Sequence, residues 1–488
     1  MGGRKTNTHI RWLFVEVAIV HRKWNTIEKQ YESVRGSFST EQFGVFLNMH
    51  SGEINENYLV AFHEDYHYWQ SIFTPYGHLK WGVNRTASTN IIEAWLSATA
   101  NSADARIVPA ADILPTDDKD AVLGVSKIFT QYMSRRFFDL TTFNDPSIKK
   151  YMPPKVTQIV PVIEINGQPY EFNGIDILEG FAKYQEALFA FIAEGKSFSE
   201  TINHEKLSPR YYIALEYFIE HIGEQRIIEF PLACELALCV DDYCKIGEPG
   251  WQEFHPAWRF IKIVDVLSKY DKSHWLSDSS IRERYQPYAS DILIACGYKD
   301  FPDFWDSGTI YAKKENLDIS RDMLRAIEFK QRYPWILAYP FTVPEVFHEM
   351  TEFRPYYYIT TDSSGFIVKS EDHGNEIILE NQYQALANQI CGIMSDRCQD
   401  RGKIQCGYSY YGIKRCPYNL MGTCDGHLDR DSSLPEIEMD IDGNIVDGCA
   451  FDVFLSLMGV RVKDLLISDI CKKIDPTLLK KMMKKHFG

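Results

Sequence analysis

The sequence predicts an α+β fold that is mostly helical, and three observations carry that reading. Apolar residues recur at helical spacing over 58–73, 177–193, 208–222 and 230–245. Strand-like runs joined by Asn166-Gly167 and by Asp442-Gly443 read as hairpins, because such pairs accept positive φ at both turn positions. Hydrophobic residues make up 45% of the chain against 24% charged, a balance that can fill a core.

Taken in order, Leu13 to Val20 is apolar but is interrupted by Glu16 and bounded by His21-Arg22-Lys23, so it reads as an ordinary buried strand or helix. Phe43-Gly44-Val45-Phe46-Leu47 reads as a short buried strand. Asn55-Glu56-Asn57 offers polar capping for a helix that opens at Tyr58 and runs through Trp69, Ile72 and Phe73. Pro75 and Gly77 should stop it, since the residue before a proline is pushed out of the helical region. A helical stretch over 89–100 precedes a loop around Pro115-Thr116-Asp117-Asp118.

Val156 to Ile165 and Gln168 to Phe172 flank the first turn pair, and Asn173-Gly174-Ile175-Asp176 leads into the helix over 177–193. Two glycines and a proline in Gly247-Glu248-Pro249-Gly250 mark a boundary, dividing the chain into 1-250, 251-385 and 386-488. A strand pair is expected around Asp362-Ser363-Ser364-Gly365, and a second hairpin over 437–446 leads to an apolar helix over 451–457.

A chain of 488 residues exceeds a single core. Its net charge of -15 disfavours non-specific contact with phosphate backbones and anionic membranes, so nucleic acid is an unfavoured partner. No run approaches a transmembrane span and no signal-peptide core is evident, so a cytoplasmic protein is expected. Eleven cysteines in such a chain point to reduced thiols or metal ligands rather than bridges; Cys234, Cys239 and Cys244 fall on helix-like sequence and read as core thiols.

The sharpest signal is His63-Glu64-Asp65-Tyr66-His67. Two imidazoles four residues apart on a helix point the same way and can grip one metal ion, with Glu64 between them placed to act on water. A catalytic zinc needs a third protein ligand. Glu179 is the candidate, because Gly180 and Ala182 beside it would let that helix approach closely, and a mid-helix glycine costs roughly 1 kcal/mol without such a reason. Glu186 lies on the same face two turns later and reads as a surface residue or a support for the ligands.

His63-Glu64-Asp65-Tyr66-His67 followed by Glu179-Gly180-Phe181-Ala182 resembles the gluzincin branch of the zincin metallopeptidases, in which a glutamate on a later helix completes the HExxH site. Gln70 and the Thr74-Pro75-Tyr76-Gly77 helix end are similar to bacterial members of that group. The resemblance covers about residues 40 to 250. By that resemblance Glu93, in Ile91-Ile92-Glu93-Ala94-Trp95, has the more typical spacing and rivals Glu179 as third ligand. Metzincins are disfavoured, since glycine and histidine do not follow at their offsets.

What the resemblance implies is a zincin-like catalytic unit with Zn2+ that cleaves a protein or peptide substrate. Glu64 would serve as general base, and a tyrosine or histidine would stabilise the oxyanion. Tyr184, Tyr211, Tyr212 and His221 are all candidates for that donor.

From 386 onward the chain is rich in cysteine, with six of the eleven between Cys391 and Cys449. Cys398, Cys406, Cys416 and Cys424, with His427, offer soft ligands for a second, structural Zn2+, while the missing CxxC pair favours unliganded thiols. Lysine pairs at 472–473, 480–481 and 484–485 form a basic amphipathic end, read as a solvated face or a contact to a partner. The alternative to an enzyme is a binding or scaffold protein whose Cys-rich region docks a regulatory partner.

Overall fold

The computed structural model describes residues 36–39, 44–47, 49, 52, 57–82, 160–165, 167–202, 207–241, 250–270, 278–305, 318–355, 357–360, 365–367, 438–439 and 445–447. Among these the chain is mostly helical with small antiparallel hairpins, the α+β character expected. Several readings fall outside the described residues: the 13–20 and 89–100 segments, the 115–118 loop, the rival ligand Glu93, Cys244, the cysteines from Cys391 to Cys449 with His427, the 451–457 helix and the lysine-rich end. By contact, residues 1–81 with 158–355 form one compact unit and 82–157 with 356–488 another.

In the first unit β1 (Gly36–Ser39) and β2 (Gly44–Leu47) pair antiparallel, with Gly36 opposite Leu47. β2 is the strand read at 43–47. Helix α1 (Tyr58–Phe73) buries Phe62, Tyr66, Trp69 and Phe73, three or four residues apart, and from Tyr68 to Phe73 it is buried on every side. Asn57 sits at its cap position without a capping side-chain hydrogen bond.

The helix does end before Pro75, but the chain does not leave helical conformation for long. Thr74 is extended, and helical backbone resumes over 75–82 (α2) with Pro75 in the first position, where a missing N–H costs nothing. The Thr74 hydroxyl joins the two segments, donating to the Gln70 carbonyl (2.6 Å) and accepting from the Gly77 N–H (3.0 Å). A Cβ at Gly77 would lie 2.2 Å from the Ser71 carbonyl oxygen, so this corner requires glycine.

Strands β3 (Val162–Ile165) and β4 (Gln168–Glu171) make the expected hairpin, with Gly167 at φ 74°. Helix α3 (Gly174–Glu194) begins earlier than the apolar pattern indicates, because Asp176 in its first turn reaches back to the Asn173 N–H (2.6 Å). It ends at Gly195 in the left-handed region. A 3-10 turn at Pro209–Tyr211 leads into α4 (Ile213–Ile222), and α5 (Phe230–Ala237) stops well short of 245.

Helix α6 (Pro256–Lys269) buries Phe260, Ile263, Val264 and Leu267 and packs on α3, α4 and α5. That packing crosses the expected boundary at Gly247–Gly250, and the compact unit continues to Pro355. α7 (Asp278–Ala295), α8 (Asp318–Arg332) and α9 (Pro344–Met350) complete the unit. Helix α1 packs against α3, α8 and β1. Its start meets the end of α3, where Tyr58 donates to Glu194 (2.5 Å), so the two helices run antiparallel.

In the second unit β5 (Tyr357–Thr360) and β6 (Gly365–Ile367) pair antiparallel, the strand pair expected around 362–365, and β7 (Glu438–Met439) and β8 (Ile445–Asp447) pair antiparallel as the other expected hairpin. Cys234, Cys239 and Cys296 are free, buried thiols, as read for the first two. Among the described residues no helix is long and apolar enough to cross a membrane.

Candidate metal centre

Antiparallel packing of α1 on α3 brings three sequence-predicted residues to one point. His63 Nε2 and His67 Nε2 lie 3.1 Å apart, and Glu179 Oε2 is 3.2 Å from each. The three atoms form a nearly equilateral triangle. Ligands about 2.1 Å from a tetrahedral ion stand about 3.4 Å apart, so the triangle has nearly the dimensions of one face of such a site. His63, His67 and Glu179 are a group that could hold a metal ion.

The neighbours decide which nitrogen faces inward. His63 Nδ1 lies 3.0 Å from Glu186 Oε2, an acceptor, so Nδ1 carries the proton and Nε2 presents a lone pair. His67 Nδ1 lies 2.8 Å from Gln70 Oε1, and Gln70 is oriented by its Nε2 donating to the Leu178 carbonyl (2.9 Å). Both imidazoles therefore turn a lone pair toward the Glu179 carboxylate. Three acceptors with no donor between them repel one another unless a cation sits among them.

Glu186 is buried and held from its other oxygen by Lys183 (2.6 Å). It supports His63 and is not a surface residue. With no ion among the three acceptors, a proton would have to relieve them: burial works against a charged His63, yet hydrogen bonds to Glu179 and Glu186 would prevail and carry its pKa up to about 10, and a metal ion at the same point supplies that positive charge in the proton's place. Burial raises Glu179 as well, but His67 and His63 outweigh it and hold the carboxyl below its ordinary range.

Glu64, on the turn between the two histidines, is buried, and burial is the main cause that carries its pKa up to about 7 against the pull of His63 and His67. β1 passes directly over it: a Cβ built on Gly36 would fall 2.5 Å from Glu64 Oε1. Glycine lets the strand cover the carboxylate.

Gly180 does not serve the contact expected of it. Its missing Cβ faces Ala214 (3.3 Å) and the Tyr211 carbonyl (3.9 Å), so it seats the Pro209–Tyr211 turn on α3 rather than bringing α3 to α1. One consequence is chemical. Tyr211 on that turn lies with its ring 5.7 Å from the His63 ring, and burial, then the Glu179 and Glu64 charges, push its phenol far up, so it stays a proton donor.

The other candidate donors lie elsewhere. Tyr184 packs between Phe198 and Phe230, His221 stacks on Tyr217, and Tyr212 is buried at the start of α4. Nothing in the local sequence singles out Tyr211, because its placement depends on the Gly180 contact, a long-range fit that no local pattern records.

Comparison with protein-family models, curated proteins and solved structures returns no match to this chain.

Proposed function

We propose that this chain is a zinc-dependent peptidase of gluzincin type, with His63, His67 and Glu179 as metal ligands and Glu64 as general base. The observation that carries the reading is the triangle of three inward acceptors beside a buried glutamate on the same helix. Two nitrogens and one carboxylate oxygen are the donor set of a catalytic zinc site, which leaves a fourth position for water or substrate. The bound ion supplies Lewis acidity, acidifying water and polarising a carbonyl.

The protein's own groups would do the rest. Glu64 takes a proton from the attacking water and delivers it to the leaving amine, so that one C–N bond is exchanged for C–O with no net change in the enzyme. Tyr211, whose ring lies 5.7 Å from that of His63, donates a hydrogen bond to the oxygen that becomes negative as water adds. Glu186 and Gln70 hold the two imidazoles in the required tautomer.

The test is cleavage of a mixed peptide library by the full chain loaded with zinc, with new termini read by mass spectrometry. Cleavages that vanish in Glu64→Gln while zinc stays bound support the reading. A zinc-loaded wild type that yields no more cleavages than Glu64→Gln overturns it.

A further inference from the structure

Away from the metal centre, the β3–β4 hairpin, the end of α4 and the face of α6 enclose an open cavity of about 560 Å³. Helix α4 starts beside the Tyr211 turn and its last residues line this cavity, so its ten residues, at about 1.5 Å each, separate the two places by roughly 15 Å.

The chemistry of the walls is one-sided. Val162 and Glu164 come from β3, Tyr217, Glu220 and His221 from α4, and Trp258 from α6. No lysine or arginine lines it, and neither Glu164 nor Glu220 has a cationic partner among the described residues. His221 Nδ1 donates to the Tyr217 carbonyl (2.8 Å), which leaves Nε2 as an acceptor, and its ring stacks on Tyr217 with centroids 4.0 Å apart. The walls thus combine two carboxylates and an imidazole lone pair with aromatic and aliphatic surface, including a Val162 that is 52% exposed. The complement of such a surface is a cation on an apolar stem, which aromatic faces and carboxylates attract together.

We propose that this cavity binds an arginine or lysine side chain carried by a peptide. A peptide is the occupant that fits: four consecutive residues of the hairpin, 161–164, line the cavity, and β3 is paired with β4 alone among the described residues, so an extended chain can run beside it. The side chain enters between Trp258 and the Tyr217–His221 pair, and its charged head meets Glu164 and Glu220. Binding here does not depend on hydrolysis at the metal centre.

The experiment is fluorescence anisotropy with the full chain in the Glu64→Gln background, so that no probe is cut, using labelled alanine-rich pentapeptides with arginine, citrulline or glutamate at the centre. The arginine peptide is expected to bind at least about tenfold more tightly than the citrulline isostere, with affinity falling as salt rises, and the glutamate peptide not at all. Glu164→Gln with Glu220→Gln should reduce arginine-peptide affinity to the citrulline level, with the melting temperature unchanged because both side chains are on the surface. Trp258→Ala should weaken the arginine peptide severalfold. Equal binding of the arginine and citrulline peptides, or full affinity in the double variant, overturns the proposal. Acetyl-arginine amide binding as tightly as the pentapeptide would overturn the assignment to a peptide.

Discussion

Two clusters of buried charge lie in the same compact unit, and they differ in how their charges are balanced. Lys330 and Glu235 are both fully buried and meet at 2.5 Å; Lys330 also donates to the Pro334 carbonyl. Burial pushes Glu235 up and Lys330 down, each toward its neutral form, and each opposes that shift in the other. In that pair a cation meets a carboxylate, so the charge is balanced within the protein. At His63, His67 and Glu179 the donors all lie outside, on the far nitrogens, and the acceptors all point inward. Buried polarity alone therefore does not mark a site. An excess of acceptors aimed at one point does.

The largest effect that sharpens the contrast is on catalysis. Glu64→Gln should lower peptide cleavage by about 10²- to 10⁴-fold with zinc retained, measured by initial rates alongside metal content. In the closed cluster the effect should be on stability alone. Lys330→Met leaves Glu235 buried without its counter-charge and should cost about 3–5 kcal/mol in denaturant unfolding, with metal content unchanged. If Lys330→Met also released the metal, the two clusters would not be separate.

Smaller effects probe the supports. Glu186→Gln leaves an acceptor for His63 Nδ1 but removes the charge, and zinc affinity by competition with a chelator should fall about 10- to 100-fold. Glu64 should be equally sensitive to what covers it. Gly36→Ala places a methyl group where the carboxylate now rests, so cleavage should drop by about tenfold while zinc binding stays at the wild-type level.

The last effect is on the pH dependence of stability and concerns Asp176, which caps α3 upstream of Glu179. Burial carries its pKa up to about 7 against hydrogen bonds from the Asn173 N–H and the Tyr170 hydroxyl. A carboxyl whose folded pKa lies above its unfolded value binds its proton more tightly when folded. Its contribution is present below about pH 4 and is lost as pH rises through about 7. At about 1.36 kcal/mol per pKa unit that is at most about 4 kcal/mol. Asp176→Asn should flatten that part of the stability profile measured by urea titration.

How much of this the sequence discloses depends on how far apart the interacting residues lie. The histidine pair needs only helical spacing, so His63 and His67 are legible, as are the hairpins at Gly167 and around 362–365. Glu179 was legible for a partly mistaken reason: Gly180 does mark a close contact, but with the Ala214 and Tyr211 segment. Glu186 was placed on the right face, yet whether a helical glutamate meets solvent or a histidine 123 residues away is a matter of tertiary packing. Helix α6 packs on helices that precede Gly247–Gly250, since glycine and proline report a local turn and not whether hydrophobic faces on either side share a core. The cavity at Glu164, Glu220 and Trp258 joins three distant segments, which no single motif foreshadows.

Whether the three converging acceptors hold a metal ion is read from zinc equivalents per chain in wild type and Glu179→Ala. After equilibration with zinc and removal of loosely bound ions, Glu179→Ala should carry about one equivalent fewer than wild type, whatever the rest of the chain binds. Equal zinc content and equal affinity in the two proteins would contradict it.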